Sequence, residues 1–596
     1  MKTHQYKHTA KTLAFMLVFA VLISCSDFLD VKPYGVVTAN DLNTVAKTEE
    51  LIIAAYAGLG NSTWNSSYTS DWVWGSVRSD DAYKGGSGVA DQGPLNQLEQ
   101  YNLVTPVNAG YPAATWIAVY SAVSRANLAL QQLDKFTDAE YTVQGLTNAR
   151  AVRQAEMRFI RGHLMFVLKR LFKYPVWIEH TLTKEEIKTV TNREFTSDQL
   201  WDKIAAEFQF GVDNLPETFT EKGRANRYAA AAYLAKTRLY QAYMQNDNHQ
   251  VTSIDATKLQ QVVTMADLVI NSGRYALVDN YGKKFTYGYE NNTESIFAVQ
   301  YSYDDGTTWG RVNFEHGLNY NMATAYGCCS FHPSSQNLVN AFKTDQTTGI
   351  PLFNTFNNSE MKNPQDFQAP NNSVDPRLDH TVGIPSHPFK YDVNFVAQGS
   401  WSRTPAVYGN FLPMKEIQLP SCNCIRKGGA FFGTAQNWDI LQYNDLLLMK
   451  AEALIELGQH ADARPIINQI RQRAANSVAW TTYPAGHANA GQGFSNYNIS
   501  EYTDGNLAWT QDNARTALQW ERRLEFAMES PRFHDLVRWG IAAEVLNNYI
   551  TTEKARGRNH LNAAVFTLGR DEYLPIPQDE INLVNGLYTQ NPGYQQ

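Results

Sequence analysis

Long stretches of the chain place apolar residues at the spacing of an α-helix. In the run TWIAVYSAVSRANLALQQL, one helical face carries Trp116, Tyr120, Val123 and Asn127, at i, i+4, i+7 and i+11. The same periodicity recurs in the runs AEMRFIRGHLMFVLKRLFKYPV, TSDQLWDKIAAEFQFGVDNLP and RYAAAAYLAKTRLYQAY. The pattern predicts a mostly α-helical protein.

One run has the spacing of a helix pair. In LLLMKAEALIELGQHADARPIINQIRQRA, a turn at Gly458 would place Ala451 and Leu454 in a first helix and Ala463 and Ile467 in a second. This order of small and large residues matches a tetratricopeptide unit in part, although the usual proline and tryptophan are missing. Because one such pair buries its apolar face only by stacking on another, the sequence predicts a scaffold of tetratricopeptide-like helix pairs.

Three other segments lack a helical period. Gly, Asn, Pro, Ser and aromatic residues are frequent in residues 60–112, 280–435 and 476–510. The segments are too long to be simple linkers. We expect them to form structured loops packed on the helical scaffold, a loop-rich half in which binding residues usually lie.

The amino-terminal apolar run has the form of an export signal. Eleven apolar residues, Leu13–Ile23, follow Lys2, Lys7 and Lys11 and precede Cys25. Eleven residues rise only about 16 Å as a helix, roughly half of the hydrocarbon core of a bilayer, which disfavours a stable membrane span. A buried core helix is the alternative, but no polar residue marks an outer face of the run.

The run LISC, residues 22–25, resembles the bacterial lipobox. In that motif, cleavage before the cysteine leaves a thiol that carries lipid. The resemblance implies a lipoprotein signal peptide over residues 1–24 and lipidation of Cys25. No other stretch approaches 18 consecutive apolar residues, so we expect the lipid alone to hold the mature chain at a membrane.

Charge and aromatic content narrow the class of ligand. The chain has 51 Lys+Arg and 58 Asp+Glu, a formal net charge of −7, and it has no basic stripe, which argues against a nucleic-acid partner. Aromatic residues form 12% of the chain, with 13 Trp and 32 Tyr. This surplus suits an aromatic-lined binding surface, with a large core and its rim residues as the alternative.

Four cysteines remain besides Cys25, as the adjacent pair Cys328 and Cys329 and the pair Cys422 and Cys424. Their spacing is not that of a zinc site. In an exported protein, a disulfide between the two pairs is allowed, and free buried thiols are the alternative.

A catalytic hypothesis rests on three carboxylates. Glu521, Glu525 and Glu529 follow one another at i, i+4 and i+8, so they share a helical face, and a glycosidase needs two carboxylates. Neighbouring Arg522 and Arg523 would lower the pKa of these carboxylates, which is the opposite of what a general acid needs. The chain has no phosphate-binding loop, no dinucleotide fingerprint and no nucleophile elbow. The pattern favours a structural ion-pair network.

No metal site or cofactor is predicted. His534 lies among arginines, which makes it a poor metal ligand. Asp304 and Asp305 precede Gly306 but lack the acidic spacing of an EF-hand, so a turn is favoured over a calcium site.

The first candidate binding loop is the run DWVWGSVRSDDAY. It places Trp74 and Tyr83 near the carboxylate of Asp81. Sugar rings present apolar C–H faces and edge hydroxyls, so a sugar binder needs aromatic platforms with polar groups at their edges. Trp72 and Trp74 alternate as on a strand and should face opposite ways. We predict that Trp74, Asp81 and Tyr83 contact ligand, with core packing as the alternative for each.

The second candidate loop is the run YDDGTTWGRVNFEHGLNYNMATAYGCCSF. It provides Trp309, Tyr320 and Tyr326 together with polar neighbours. We predict the same ligand-binding role for these three rings, again with core packing as the alternative.

Several runs together resemble one family. They are SCSDFLDVKP, WIAVYSAVSRAN, AEMRFIRGHLMFVLKRLF, LLLMKAEALIELG, ERRLEFAMESPRFHDLVRWG and YLPIPQDEINLVNGLYTQNPGY. In this order they resemble the SusD/RagB family of surface lipoproteins from Bacteroidetes. In one departure from the family pattern, Ser530 and Pro531 interrupt the fifth run, so a helix should start or bend at Pro531.

The resemblance implies a single SusD-like domain over residues 25–596, mostly α-helical, with helix pairs supporting a loop-rich half. It also implies a lipid-anchored protein exposed on the outer membrane. Such a protein binds rather than catalyses, capturing oligosaccharide and delivering it to a SusC-like TonB-dependent transporter. A peptide-capturing RagB-like lipoprotein is the first alternative, and a surface glycosidase is the second.

Overall fold

A computed structural model describes residues 43–103, 110–307 and 310–595. The chain divides into two compact units, Met1–Glu50 and Leu51–Gln596. The predicted signal peptide, residues 1–24, and the predicted lipidation site, Cys25, lie outside the described residues and stay predictions. Within the described ranges, no helix combines the length and the apolar composition that a membrane span requires.

Helices dominate the described part of the chain. In chain order, the α-helices of the described residues are α1 Val45–Leu59, α2 Gly93–Glu99, α3 Tyr111–Leu133, α4 Ala149–Phe172, α5 Lys184–Ile187, α6 Ser197–Asn214, α7 Arg227–Ala242, α8 Ala256–Ile270, α9 Gln336–Ala341, α10 Arg377–Thr381, α11 Pro405–Tyr408, α12 Tyr443–Glu456, α13 His460–Asn476, α14 Gln511–Glu525, α15 Pro531–Arg538, α16 Ala542–Ala555 and α17 Gln578–Leu583.

The long helices pack one on the next in a continuous series. Helix α3 contacts α4, α4 contacts α6, α6 contacts α7, and α7 contacts α8. The series continues through α12 to α13 and α14. The prediction of a mostly α-helical scaffold built from helix pairs is confirmed.

Small residues allow neighbouring helices to approach closely. A Cβ atom on Gly162 of α4 would lie 3.0 Å from the Cβ of Glu207 on α6. A Cβ on Gly211 of α6 would lie 2.8 Å from the Cβ of Ala230 on α7. Larger side chains at these positions would force the helices apart.

The predicted tetratricopeptide-like pair is formed by α12 and α13. Gly458 lies between the two helices with φ +79°, a conformation that favours glycine. Ala451, Leu454, Ala463 and Ile467 are all buried, as the spacing predicts.

Two helix starts have clear local signals, and the start at Pro531 is as predicted. Thr196 caps α6, accepting a hydrogen bond from the backbone N–H of Gln199, whose side chain completes a capping box. Helix α15 begins at Pro531, where proline fits because the first turn needs no backbone donor.

The strands are short and pair two by two. They are β1 Tyr243–Gln245 with β2 Val251–Ile254, β3 Ser295–Val299 with β12 Trp438–Gln442, β4 Lys343–Thr344 with β5 Ser373–Val374, β6 Val382–Gly383 with β9 Leu412–Pro413, β7 Pro388–Phe389 with β8 Asp392–Val396, and β10 Ile425–Gly428 with β11 Phe431–Thr434. All six pairs are antiparallel. Most of them lie in residues 280–435, the longest of the predicted loop-rich segments.

A buried ion-pair network joins this loop-rich segment to the helices. Arg377 of α10 contacts Glu521 at 2.6 Å and Glu525 at 2.9 Å, both on α14. The same guanidinium binds Asp375 at 2.7 Å. All four side chains are fully buried. Because buried charges are costly unless paired, these contacts fix α10 against α14.

Helix α13 contributes two more arginines to the network. Arg471 binds Glu521 at 3.1 Å, and it donates to the backbone carbonyls of Gly349 and Ser500 at 3.0 and 2.6 Å. Arg473 binds Glu525, and it also binds Glu294 at 2.9 Å. The network therefore joins helices α13 and α14 to two of the predicted loop-rich segments, residues 280–435 and 476–510.

Replacing Arg377 with methionine should strongly destabilise the protein. The variant leaves three carboxylates buried without their shared cation, and breaking a buried pair typically costs about 3–5 kcal/mol. Urea unfolding followed by circular dichroism measures the free energy of unfolding. The control is Arg150→Met, which removes an ion pair to Asp138 whose carboxylate side is 79% exposed, and we expect little change there. Equal effects of the two variants would contradict the assigned importance of the network.

Candidate functional site

Five of the six residues predicted to contact ligand are buried. At most 1% of the residue surface is exposed at Trp74, Asp81, Tyr83, Tyr320 and Tyr326. Because no ring face or carboxylate of these residues reaches solvent, the structure does not place them on a binding surface. The core-packing alternative describes all five. The sixth residue, Trp309, lies outside the described residues and stays a prediction.

Trp72 and Trp74 lie on a π-helical turn, Trp72–Val77, and not on a strand. Both indoles are buried, and each Nε1 donates to a backbone carbonyl, that of Trp72 to Glu315 at 3.1 Å and that of Trp74 to Ser67 at 2.5 Å. A Cβ on Gly75 would lie 1.8 Å from the carbonyl oxygen of Ser530. Glycine thus lets the turn pack directly against the backbone of Ser530. The alternation of Trp72 and Trp74 in the sequence does not reveal this contact.

Asp81 and Tyr83 interact with charged groups inside the core. Tyr83 Oη donates to Glu553 at 2.5 Å. The Asp81 carboxylate lies 3.5 Å from the guanidinium of Arg523, and neither of its oxygens has a hydrogen-bond partner among the described residues. Burial raises the pKa of Asp81 to about 6, with Arg523 opposing the shift and Asp80 reinforcing it.

Tyr320 and Tyr326 pack on the inner side of the β10–β11 hairpin. The ring of Phe432 lies 4.8 Å from that of Tyr320 and 5.8 Å from that of Tyr326, centroid to centroid. Tyr326 Oη donates to the backbone carbonyl of Gln418 at 2.5 Å. These contacts make both rings part of the core beneath the hairpin.

The cysteines pair within each group. Disulfides join Cys328 to Cys329 and Cys422 to Cys424. Both alternatives, a link between the two groups and free thiols, are therefore wrong. The second disulfide lies just before β10, where Ala435 N donates to the carbonyl oxygen of Cys424 at 2.9 Å. It lies where the two ends of the hairpin meet.

The outer side of this hairpin carries half-exposed aromatic residues. We name Trp64, Tyr303, Arg426 and Phe431 the Trp64 surface; each of the four is partly open to solvent. The rings of Trp64 and Phe431 lie 6.2 Å apart with planes inclined by 23°. The rings therefore present nearly parallel apolar faces.

Arg426 provides the polar edge of the Trp64 surface. Its guanidinium carbon lies 3.8 Å from the ring centroid of Tyr303, close enough for a cation–π contact. One terminal nitrogen lies 3.6 Å from a carboxylate oxygen of Asp304, whose side chain is 87% exposed. The buried Nε has no hydrogen-bond partner among the described residues. The guanidinium is therefore held between the ring of Tyr303 and the carboxylate of Asp304.

Backbone contacts hold the pieces of the Trp64 surface together. Asn313 and Thr434 form a bridge, with backbone hydrogen bonds of 2.8 and 3.1 Å, which joins the loop that includes Tyr303 to β11. The side chain of Arg311 donates to the carbonyl oxygen of Ala57 at 2.6 Å, next to the segment that leads to Trp64. Three segments distant in sequence thus meet at one surface.

The sequence marks none of these four residues as exposed, for a physical reason. Trp64 lies in the predicted loop-rich segment 60–112, and Tyr303 lies in the second candidate loop, yet nothing in their neighbours marks them as exposed. Phe431 and Phe432 are adjacent, and only the pairing of the hairpin decides which ring faces out. For Arg426, only the contact with Tyr303 in the folded protein indicates a role on this surface.

The three carboxylates considered for catalysis are held in ion pairs. Glu521 and Glu525 are fully buried against arginines, and Glu529 binds Lys415 at 2.7 Å. Burial opposes ionisation of Glu525, but Arg473, Lys284 and Arg377 outweigh it and hold the pKa of that carboxyl well below its usual range. Such a group is not a proton donor near neutral pH. The predicted structural ion-pair network is confirmed.

The predicted turn at Asp304 and Asp305 is also present. Asp305 accepts hydrogen bonds from the backbone N–H and the hydroxyl of Thr307, at 3.0 and 2.6 Å. Among the residues that the structure describes, no group of three or more His, Cys, Asp or Glu is arranged to hold a metal ion.

Comparison with known families identifies the class of protein. The SusD family matches residues 293–594. A second family, described as "Starch-binding associating with outer membrane", matches residues 27–239. The chain belongs to the SusD/RagB family. The resemblance drawn from the sequence runs is confirmed.

Relatives in the SusD/RagB family match along most of the chain. SusD-like protein P2 of Formosa agariphila is 23% identical over 595 residues, covering 98% of this chain and 99% of the relative. A SusD homolog from Bacteroides thetaiotaomicron has a TM-score of 0.67 at 19% identity, covering 92% of this chain and 97% of the homolog. Surface glycan-binding protein A of the same organism, solved in complex with laminarihexaose, has a TM-score of 0.59 at 20% identity, covering 92% and 100%. At these identities, the structural matches show a shared fold.

Replacing Asp80 with asparagine should destabilise the protein in a pH-dependent way. Burial alone would raise the pKa of Asp80, but Arg523 and Arg532, at 2.9 and 2.8 Å, lower it to about 2. The unfolded pKa is about 3.9, so the stabilisation is complete above about pH 4 and is lost as pH falls toward 2. We expect the melting temperature of Asp80→Asn to lie several degrees below that of the parent at pH 7, and the difference to shrink at pH 3. A difference that is constant over this range would contradict the assigned pairing.

Proposed function

We propose that this protein captures neutral oligosaccharides at the Trp64 surface and passes them to a SusC-like TonB-dependent transporter. The observation that carries the proposal is the pair of nearly parallel, partly exposed rings of Trp64 and Phe431. Arg426 lies on the same face of the hairpin as Phe431 and is held over the ring of Tyr303. Membership in a family described as starch-binding, and structural relatives named for glycan binding, support the same ligand class.

Each part of the Trp64 surface has a role in this proposal. The C–H face of a sugar ring lies on the indole of Trp64 or on the ring of Phe431. The partial positive charge of the sugar C–H groups then meets the negative face of the aromatic π-system. Arg426 donates hydrogen bonds to ring or hydroxyl oxygens of the sugar. Its cation–π contact with Tyr303 reduces the conformational entropy lost on binding, because the side chain is already ordered.

The location follows from the proposed anchor. A diacylated or triacylated Cys25 would hold the domain on the outer membrane, because each buried methylene contributes about 0.8 kcal/mol and two or more chains give stable anchoring. A lipid-tethered receptor beside its transporter raises the effective concentration of captured ligand at the transporter mouth. The partner and the surface exposure are therefore parts of one proposal.

Capture of peptides is the second candidate within the family. An extended peptide needs exposed backbone donors and acceptors or charged partners, as on an unpaired strand edge. The Trp64 surface instead offers partly exposed ring faces and the guanidinium of Arg426. The glycosidase alternative has no support in Glu521, Glu525 or Glu529, whose carboxylates are all occupied by cations.

Replacing Trp64 with alanine should weaken oligosaccharide binding by roughly tenfold or more. Loss of an aromatic contact of about 1.5 kcal/mol corresponds to that factor. A glycan microarray that includes laminarihexaose and maltohexaose selects the probe, and isothermal titration calorimetry measures its dissociation constant. We expect the melting temperature to change little, because Trp64 is half-exposed.

The matched control is Phe210→Ala. Phe210 is a half-buried ring on α6 that lies 4.1 Å beneath the guanidinium of Arg158, away from the Trp64 surface. Its loss should leave the dissociation constant unchanged. Binding of peptides but of no glycan on the array would overturn the proposal in favour of peptide capture.

Replacing Cys25 with alanine should release the protein from the membrane. The variant has no thiol to acylate, so it should lose incorporation of radiolabelled palmitate and move from the outer-membrane fraction to the soluble fraction. Cys422→Ala serves as the control, because that thiol lies in a disulfide and should not affect labelling. Palmitate labelling that persists in Cys25→Ala would contradict the proposed anchor.

A further inference from the structure

A second set of aromatic rings lies on a different part of the loop-rich half. Tyr289 is 41% exposed, and its ring lies 5.6 Å from that of Trp480. The Trp480 ring lies in turn 5.2 Å from that of Tyr391, and both of these residues are half-exposed. Tyr287, two residues before Tyr289, is 37% exposed. Burial of an exposed aromatic ring lowers the free energy. Several exposed rings in one place therefore indicate a surface that binds another molecule.

Buried hydrogen bonds fix the two segments that carry these rings. Asn280 donates from its side chain to the carbonyl oxygen of Ser477 at 3.1 Å, and Tyr281 N donates to the Ser477 hydroxyl at 2.8 Å. A Cβ on Gly282 would lie 2.8 Å from the indole of Trp480, so glycine is required for this approach. The rings are therefore held in position before any ligand arrives, which lowers the entropic cost of binding.

An open groove is lined by residues that precede these rings in the sequence, among them Asp279 and Asn476. Its volume is about 590 Å³, within the range of about 300–1,000 Å³ typical of small-molecule sites. The face of α13 lines it with the amide side chains of Asn468, Gln469, Gln472 and Asn476. Asn468 is held by the backbone of Tyr502, and Gln472 donates to Asn476. The exposed amide of Gln469 offers both a donor and an acceptor, which matches hydroxyl groups that do the same.

The groove and the rings are connected through Asp279 and Lys283. Asp279 lines the groove and binds Lys283 at 2.6 Å. The Lys283 ammonium lies 5.6 Å from the ring centroid of Tyr289. Aromatic platform and polar groove thus form one continuous surface, which we name the Trp480 surface: Tyr289, Trp480, Asp279 and the amide face of α13.

The charges of the Trp480 surface favour a neutral ligand. Arg464 is paired with Asp504 at 2.6 Å, and Arg473 is paired with Glu294 at 2.9 Å. The basic groups that line the groove are therefore already neutralised, while Glu501, also on its wall, adds a negative charge. An acidic or sulfated sugar would meet no available cation among these described groups and would be repelled by that carboxylate.

We infer that the Trp480 surface is a second binding site for a neutral glycan, so that a long chain engages this site and the Trp64 surface at once. The inference rests on the proposed glycan function. The two surfaces share no residue: one is built from residues 279–289 and 464–480, the other from Trp64, Tyr303, Arg426 and Phe431. When one glycan chain makes two weak contacts, the second contact becomes intramolecular once the first has formed. The affinity for the glycan then exceeds that of either contact alone.

Native gel electrophoresis in the presence of laminarin or soluble starch tests the inference. The proteins are the full mature domain and its variants Trp480→Ala, Trp64→Ala and the double variant, with Phe210→Ala as the control. We expect the parent to be retarded by at least one polymer, each single variant to need about tenfold more polymer for the same retardation, and the double variant to migrate freely. Trp480→Phe, which keeps a ring, should recover part of the loss.

The outcomes separate the two proposals. If Trp64→Ala weakens retardation and Trp480→Ala does not, the second site is overturned and the proposed function stands. If Trp480→Ala alone weakens it, the second site is supported and the role of the Trp64 surface is overturned. If neither polymer retards the parent, both proposals are overturned. Melting temperatures within about 2 °C of the parent's exclude loss of folding as the cause.

Discussion

The buried ion-pair network around Arg377 is the constraint on which the arrangement of the protein depends. One guanidinium contacts Asp375, Glu521 and Glu525 in a place that excludes water. The desolvation cost of such charges is recovered only when geometry and hydrogen bonding are close to ideal. Since the partners come from a loop segment and from α14, the network permits one relative position of loop and helix and penalises others. Arg471 and Arg473 extend the same constraint to α13 and to the loop residues around Gly349 and Ser500.

This anchoring explains how long loops can carry preformed surfaces. Segments without helical or strand periodicity lose much conformational entropy when they become ordered, so they need many specific contacts. Here the helix pairs supply a stable base, the network clamps the long loop segment to it, and short antiparallel pairs and a disulfide fix the remaining pieces. The rings of the Trp64 and Trp480 surfaces are consequently oriented by residues that themselves touch no ligand in either proposal.

The aromatic surplus of the chain is divided between core and surface. Trp74, Tyr83, Tyr320 and Tyr326 use their ring area for packing. Three of them, Trp74, Tyr83 and Tyr326, also use their polar atoms for internal hydrogen bonds. Trp64, Tyr289 and Trp480 keep part of each ring in solvent. Tyr and Trp suit both situations because they combine an apolar face with a polar edge. Composition therefore indicated an aromatic-rich protein, but each ring's use depends on the neighbours that folding brings to it.

The sequence by itself determined the helical scaffold, the turn at Gly458, the capping box at Thr196, the helix start at Pro531 and the ion-pair character of Glu521 and Glu525. These features depend on residues close in sequence, whose spacing and backbone preferences act locally. Only the tertiary structure decided which aromatic rings are exposed, that the cysteines pair within each group, and that Trp72 and Trp74 lie on one buried turn. Exposure depends on contacts between segments hundreds of residues apart, such as Gly75 with Ser530 or Phe431 with Trp64, and no local pattern encodes such contacts.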